Sequence, residues 1–557
     1  METIVGIDLG TTNSTITAID ENGKTHFIKN SFGEYITPSA VYFNDDKSVL
    51  IGKKAKEKSN TDPDNLVMYV KREMGKQKEK VREDRTEGTF HPYLFGNRVF
   101  SPEEISAFIL RQLKSDAEKE LGHPIKKAVI TCPAYFGDSE KNATKLAGKY
   151  ADLDVLEIIP EPTAAALSYS AVSKKNETLL VFDLGGGTFD VTIMKTSDSN
   201  EGRKVEMLAT DGNHRLGGID WDGMIIDFMF DRFNKRFNID LDYEPEKELA
   251  KTYGKLRIEV EKAKVALFKE NVESVPLAIE YGGKKHVEEI SRSLYAAKTE
   301  KLTSSCKTYC MNTLNAAGLN WSDIDTVLMI GNMSNCETIQ TELKKWSGKE
   351  IQFGIINPKT CVSEGAAIKG FLLEGGDRVK KLLRVDKDTA AFDQTKEITE
   401  RVQKLDEQGE RTDTKFDRNE IKSGVLPSAI GIKVLKKDGS DFYKKLLEKN
   451  SPYPESQTKT YPLFKDGDFN LVVLEGDSDI ITECKKLGSI NVILDGKMKK
   501  GDKLSITLSI DNNGILQVEA QNTELGIHLK SKISRENDVP DEDVKRIIEE
   551  NEEFFLG

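Results

Sequence analysis

Apolar residues fall into two rhythms along this chain, and the change between them divides it. From Met1 to about Arg378, short apolar runs of strand type alternate with long amphipathic segments, the pattern of an α/β domain. After Val425 the period shortens to two. Leu504-Ser-Ile-Thr-Leu-Ser-Ile510 alternates strictly, Asp511-Asn-Asn-Gly514 supplies a turn, and Ile515-Leu-Gln-Val-Glu519 continues beyond it. Asn470-Leu-Val-Val-Leu-Glu-Gly476 and Ser489-Ile-Asn-Val-Ile-Leu-Asp-Gly496 add two more strands, so this region reads as an antiparallel β-sandwich. Between the two regions lie Lys380-Lys-Leu-Leu-Arg-Val-Asp386, short with an apolar centre, and then a charged stretch at 387–424. That stretch is either a solvated helix pair or disordered. The last segment reads as one acidic helix, with Pro540 near its start and Val544, Ile547 and Ile548 on one face.

Within the α/β region, two distant segments are built alike. One runs Ile4-Val-Gly-Ile-Asp-Leu-Gly-Thr-Thr-Asn-Ser-Thr-Ile16, the other Leu179-Leu-Val-Phe-Asp-Leu-Gly-Gly-Gly-Thr-Phe-Asp-Val-Thr-Ile193. Each is an apolar strand, an Asp, a Gly/Thr turn and a second strand. Glycines let successive backbone N–H groups converge on an anion, and the Thr hydroxyls add donors. The ionised Asp, which can only accept hydrogen bonds, suits the water shell of Mg²⁺ rather than a phosphate. Two such hairpins facing each other would grip a polyphosphate from both sides. They imply two similar lobes: residues 1 to about 170 with a charged insertion from about 39 to 100, and about 177 to 378 with an insertion near 215–290. The small-residue segments Glu161-Pro-Thr-Ala-Ala-Ala166 and Glu364-Gly-Ala-Ala-Ile368 could cross closely at the cleft floor as a hinge, or simply pack around Ala.

The formal charge of −12 argues against nucleic acid or an acidic membrane as the main partner. No apolar run approaches the length of a membrane span, and the N-terminus opens directly into a strand. The six cysteines (Cys132, Cys306, Cys310, Cys336, Cys361, Cys484) lack C-x-x-C spacing, and the six histidines are scattered, so the residues indicate no zinc clip and fit a reducing cytoplasm. There is no G-x-x-x-x-G-K-[ST], no G-x-G-x-x-G opening a helix, no H-E-x-x-H and no G-x-S-x-G.

The segments Asp8-Leu-Gly-Thr-Thr-Asn-Ser14, Pro133-Ala-Tyr-Phe-Gly-Asp-Ser139, Glu161-Pro-Thr-Ala-Ala-Ala-Leu167 and Asp183-Leu-Gly-Gly-Gly-Thr-Phe-Asp190 resemble signatures of the 70-kDa heat-shock (Hsp70) chaperones, with Asn13 similar to the bacterial, DnaK-like form. The resemblance runs to about Ile533 apart from one insertion. It implies an α/β actin-like two-lobed ATPase domain (1–378), an interdomain linker (379–386), the charged insertion (387–424), an antiparallel β-sandwich that binds peptides (425–536), and a short C-terminal helix (537–557) as the start of a truncated lid. By the same resemblance, Lys71 is the cation facing the γ-phosphate and attacking water. Glu161 and Asp190 orient water and metal, Thr12 and Thr188 donate to the γ-phosphate, and Asp8 and Asp183 hold Mg²⁺ through its waters. Gly10, Thr11, Thr12, Asn13, Gly185, Gly186, Gly187 and Thr188 form the phosphate loops. Glu261 and Lys264 match the ribose contacts, and Gly217, Gly218 and Gly331 match points of close approach.

The adenosine side departs from the family. Phe268 stands where Ser is usual, Asn332 and Asn335 replace a Gly and a stacking Arg, Ile219 replaces an acid, and Lys359 replaces an Asp. Phe268 and Met333 could pack on an adenine face instead. In the sandwich, Phe469 falls where a smaller aliphatic residue lines the central peptide pocket. The expected function is a chaperone whose slow ATPase, using ATP/ADP and Mg²⁺ with K⁺ as a further candidate cation, controls binding of unfolded or extended hydrophobic polypeptide. J-domain and nucleotide-exchange co-chaperones are the implied partners, with no nucleic acid and no membrane. The rivals are a weakly catalytic or non-catalytic relative regulating another chaperone, and, lower, an actin-like filament former or sugar kinase.

Overall fold

The structure, a computed structural model, describes residues 3–20, 24–58, 62, 64–76, 78, 82–83, 90–91, 93–173, 175–199, 202–241, 246–269, 271–349, 351–352, 356–374, 424–435, 440–511, 516–532 and 539–556. The expected linker at 379–386, nearly all of the charged insertion at 387–424 and the turn at 512–514 lie outside these residues.

The duplication read in two hairpins extends to whole sheets. In lobe I the strands run in the order Asp154–Pro160, Lys127–Cys132, Ile4–Asp8, Asn13–Ile19, Thr25–Phe27, with Thr37–Pro38 also paired to Asn13–Ile19. In lobe II the order is Ile351–Gln352, Thr326–Ile330, Glu177–Leu184, Phe189–Ser199, Gly202–Asn213. In each, the central strand pairs antiparallel with the strand that follows it and parallel with one that arrives much later. These central strands are apolar on both faces because helices cover both, and Val5, Ile7 and Leu179 to Phe182 are fully buried.

Lobe I carries an inserted sheet of Ala40–Phe43, Ser48–Ile51 and Leu66–Met68, and a hairpin of Tyr93–Phe95 with Arg98–Phe100. Phe43 stacks on Phe95 at 4.0 Å, with Phe100 and Phe108 against the same ring. The following helix, Pro102–Leu121, starts where sequence chemistry demands: Ser101 and Glu104 form a capping box and Pro102 sits at the first position. Lobe II carries helices Gly218–Phe237 and Glu246–Leu267 and the hairpin Ser274–Tyr281 with Lys284–Ser291. Cys306 and Cys310 lie buried one turn apart in helix Arg292–Ala316 as free thiols.

Helices Glu161–Val172 and Cys361–Glu374 cross between the two sheets. The crossing is close enough that a Cβ on Gly365 would collide with the Ala164 backbone. It also contains a buried polar bridge, Ser168 Oγ donating to Glu364 Oε2 at 2.6 Å beside the apolar residues of the crossing.

The sandwich has two four-stranded antiparallel sheets. One holds Asp441–Leu447, Ile430–Leu435, Phe469–Glu475 and Lys485–Val492; the other holds Glu455–Pro462, Lys503–Ile510, Leu516–Asn522 and Ile527–Lys532. Alternate residues of Lys503–Ile510 are buried, as the period of two demands. The sandwich sits on the lobes through Val425, buried in the apolar core of the helix crossing, and through polar contacts: Lys485 with Glu140 at 2.6 Å, Lys449 with Asp211 at 2.9 Å, and Thr210 N donating to Asn450 Oδ1 at 3.0 Å. Helix Asp541–Glu552 returns to lobe I. Among the described residues, no helix is long and apolar enough to cross a membrane.

Candidate functional site

The two Gly/Thr turns meet tip to tip. A Cβ on Gly186 would collide with the Thr12 side chain, and one on Gly187 with the Thr11 side chain, so only glycine allows this approach. Each turn is held from behind. Gly10 N donates to Ser14 Oγ at 3.2 Å, and Ser39 Oγ donates to Gly10 O at 2.7 Å. Gly185 N donates to Thr188 O at 3.0 Å, while Gly218 N and Ile219 N donate to Gly185 O and Gly186 O at 3.0 and 2.8 Å. The start of helix Gly218–Phe237 therefore props the second turn, and Asp220 in turn accepts from Gly217 N at 2.8 Å.

Between the turns opens a cleft of about 600 Å³. Its walls include Asp8, Gly10, Thr11, Thr12, Asn13, Lys71, Glu161, Asp183, Gly185, Gly186, Thr188, Gly331 and Asn332, all named from the sequence. Thr15, Ile36, Pro358, Lys359 and Val362 line it too. Of these, only Lys359 stood out in the sequence, as a departure from the family; the other four carry no local pattern that marks a site. Gly187, Asp190, Gly217, Gly218, Glu261, Lys264, Phe268 and Asn335 lie outside this lining.

The charge inside is lopsided. Lys71, in the short helical turn Val70–Glu73, is buried and forms an ion pair with Glu161 at the start of helix Glu161–Val172. Asp183 and Asp190 are buried around the same pair, Asp8 is half-buried beside it, and all three feel its charges. Burial pushes Asp8 up to about 7, with Glu161 adding to the rise. Burial, then Glu161, holds Asp183 and Asp190 well above the usual carboxylate range. Burial works to lower Lys71, but Glu161 and Asp8 outweigh it and its pKa lies above the ordinary value. Neither oxygen of Asp190 makes a hydrogen bond of normal geometry among the described residues; the N–H groups of Tyr135 and Ala134 only partly offset its burial.

Four carboxylates, three of them buried, against one ammonium form a site that lacks positive charge, and a divalent cation would correct that. No group of three or more His, Cys, Asp or Glu side chains converges as direct ligands among the described residues. Asp8 and Asp183 stand at the two turns, and Asp190 beside them leaves both oxygens without a hydrogen-bond partner among the described residues.

Two basic residues of lobe I reach across to lobe II. Arg72 donates to Gly187 O through Nε at 2.9 Å and Nη2 at 2.6 Å, and pairs with Asp220 at 2.6 Å. Lys56 Nζ donates to both oxygens of Glu261 at 2.7 Å. Neither partnership shows in the sequence, since each joins elements distant along the chain. Lys264 donates to Asp222 at 2.8 Å and to Gly218 O at 3.1 Å, so its ammonium braces the Gly217–Gly218 turn. Phe268 meets Tyr295 edge-on at 6.0 Å at the margin of the lobe II core. Met333 is buried, and a Cβ on Gly218 would touch its Cγ and Sδ. Asn335 is exposed and donates to Asn332 O at 3.2 Å. In the sandwich, Phe469 is partly buried, packs against the core and pairs with Val492.

Comparison with known proteins gives a consistent result. A family model described as "Hsp70 protein" matches residues 4–392 and 415–556. The chain is 35% identical over 572 residues to chaperone protein dnaK of Cyanidium caldarium, covering 99% of this chain and 83% of that protein. It is 34% identical over 562 residues to chaperone protein DnaK of Thermotoga neapolitana, covering 99% of this chain and 84% of that one. With chaperone protein DnaK of Thermosipho melanesiensis the identity is also 34%, over 563 residues and the same shares.

Proposed function

The chain belongs to the Hsp70 family and is a molecular chaperone, and on that premise we propose how its own residues run the ATPase cycle. Its two lobes are of actin-like type, and the polyphosphate of ATP lies between the turns at Gly10–Asn13 and Gly185–Thr188. The observation that carries this reading is the meeting of the two turns around the buried Lys71–Glu161 pair, amid a surplus of carboxylates.

Backbone N–H groups of both turns, with the Thr12 and Thr188 hydroxyls, donate to phosphate oxygens. Asp8 and Asp183 would hold Mg²⁺ through its waters, with the Asp190 carboxylate available to the same ion or to a monovalent cation. When bound, Mg²⁺ neutralises charge on the transferring phosphoryl group. Lys71, kept protonated by its carboxylates, would stabilise that charge and face the attacking water, which Glu161 would orient. The chemistry asks for positioning and electrostatics rather than a covalent intermediate, which fits a site without a nucleophilic Ser or Cys. Lobe movement about the helix crossing then changes how the sandwich sits on the lobes, and with it the hold on unfolded or extended hydrophobic polypeptide. J-domain and nucleotide-exchange proteins are the partner classes such a cycle would use.

Single-turnover hydrolysis of Mg–ATP by wild type and Lys71→Ala tests the assignment. Removal of a preorganised cation is expected to slow the step on the order of 10²–10³-fold, with a much smaller change in nucleotide affinity. Equal rates would remove Lys71 from the chemistry. A wild type that binds Mg–ATP without hydrolysing it would favour the regulatory reading.

A further inference from the structure

The cleft between the turns has a second cation that the ATPase chemistry leaves unused. Among the described residues of its lining, Lys71 and Lys359 are the basic ones. They come from different places. Lys71 is buried in its ion pair with Glu161, whereas Lys359 is half-buried in the turn that leads into the hinge helix Cys361–Glu374. On the family resemblance an Asp is expected at this place, so the cation is this chain's own.

That turn is held firmly. Asn357 Oδ1 accepts from Lys359 N at 3.0 Å, and Asn357 O accepts from Thr360 N and Cys361 N at 3.2 and 2.9 Å. Pro358 and Val362 line the cleft along with Lys359, so the start of the hinge helix forms part of the wall. The positive end of the helix dipole there adds to the ammonium.

The two cations stand in different electrostatic neighbourhoods. The charges acting on Asp8 are those of Glu161 and Lys71, and those that weigh most on Asp183 are Glu161, Asp190, Asp8 and Lys71. Lys359 belongs to neither set. Lys71 is engaged by carboxylates at the end of the cleft where hydrolysis would occur, while Lys359 stands apart from them. A polyphosphate brings further negative charge into this lining, and the part remote from Lys71 calls for a cation of its own. Those remote phosphates are the ones that ADP keeps once the γ-phosphoryl group has left. A contact to groups that the reaction does not change acts alike on the ground state and the transition state, so it sets affinity rather than rate.

We propose that Lys359 binds the phosphates that ATP and ADP share, holding both nucleotides in the cleft and taking no part in the hydrolytic step. The inference rests on the ATPase reading proposed above.

Calorimetry of Mg–ATP and Mg–ADP on the full chain compares wild type with Lys359→Gln and Lys359→Arg. The Gln variant is expected to weaken both nucleotides by the same factor, about tenfold or more, and to speed release of a fluorescent ADP to match. The Arg variant keeps the charge and should recover most of the loss, which a merely structural role would not predict. In single-turnover hydrolysis the ATP concentration giving half the maximal rate should rise with Kd, while the rate at saturation stays within about twofold. Unchanged affinities in the Gln variant overturn the proposal. So does a loss confined to ATP, which would put Lys359 on the γ-phosphate, or a slower step at saturation, which would put it in the chemistry. A wild type that binds nucleotide without hydrolysing it defeats the ATPase assignment alone, since the affinities still decide Lys359. A wild type that binds no nucleotide overturns both.

Discussion

Replacing Glu364 by Gln is expected to stabilise the protein at pH 8 and to do almost nothing at pH 4. Glu364 is buried at the crossing of the two hinge helices, with one oxygen accepting from Ser168 at 2.6 Å and the other without a hydrogen-bond partner among the described residues. Burial pushes its carboxyl up to about 7 from an ordinary 4.5, and the Ser168 hydrogen bond recovers only part of the rise. The folded state therefore holds this proton more tightly than the unfolded chain does. Stability falls as pH climbs from about 4.5 to about 7 and levels off above that. Two and a half pH units at roughly 1.4 kcal/mol each put the penalty above pH 7 at roughly 3 kcal/mol. Gln keeps the shape and can still bond Ser168, yet has no charge to desolvate. Urea unfolding followed by the fluorescence of Trp221, Trp321 and Trp346, all in lobe II, should show a gain of roughly 3 kcal/mol at pH 8 that shrinks through pH 7, 6 and 5 and is gone by pH 4. A gain of equal size at every pH, or none at pH 8, would refute the reasoning.

Arg72→Ala should speed ADP release about tenfold or more, because the lost charged hydrogen bonds to Gly187 O and Asp220 are the sort worth about 1.5–3 kcal/mol and they join the lobes beside the phosphate turns; stopped-flow release of a fluorescent ADP that keeps the wild-type rate would count against it. On the sequence expectation that Asn332 and Asn335 take the places of a Gly and a stacking Arg, ATP should be preferred over GTP by less than about tenfold in competition binding, one tenfold step being about 1.4 kcal/mol. A much larger preference would mean that the base is read by groups other than these.

What could be read from the sequence was what is local. The Asp-Gly-Thr turns declare themselves because every part of each turn lies within a dozen residues, and the strict alternation of Leu504–Ile510 says which side chains face the sandwich core. Ser101 and Glu104 mark a helix start by the same local logic. What joins distant segments stayed hidden. Nothing near Arg72 announces Gly187, and nothing near Lys56 announces Glu261. Glu364 looked like one residue of a small-residue hinge; a carboxylate on a helix ordinarily faces water, and only the crossing with Ser168 reveals it as buried. Phe268 also lies at right angles to the Tyr295 ring, a neighbour that its place on the helix does not announce. The terminal helix was legible from Pro540 and the Val544, Ile547, Ile548 face, but the sequence held no sign that this face would choose lobe I.

The tip-to-tip meeting of Thr11 with Gly187 and of Thr12 with Gly186 has a consequence for how the molecule comes to exist in time. Each turn forms within its own hairpin, a fast local event. The cleft between them forms only when lobe I, lobe II and the strands Lys127–Cys132 and Thr326–Ile330, which arrive late in the chain, have all been set in their sheets. Neither half alone presents more than one side of a polyphosphate grip. During synthesis the chain should therefore be blind to nucleotide until the residues up to the hinge helix Cys361–Glu374 have emerged. From that moment the ligand adds its binding free energy to a fold that is already complete, holding it against reopening rather than guiding its assembly.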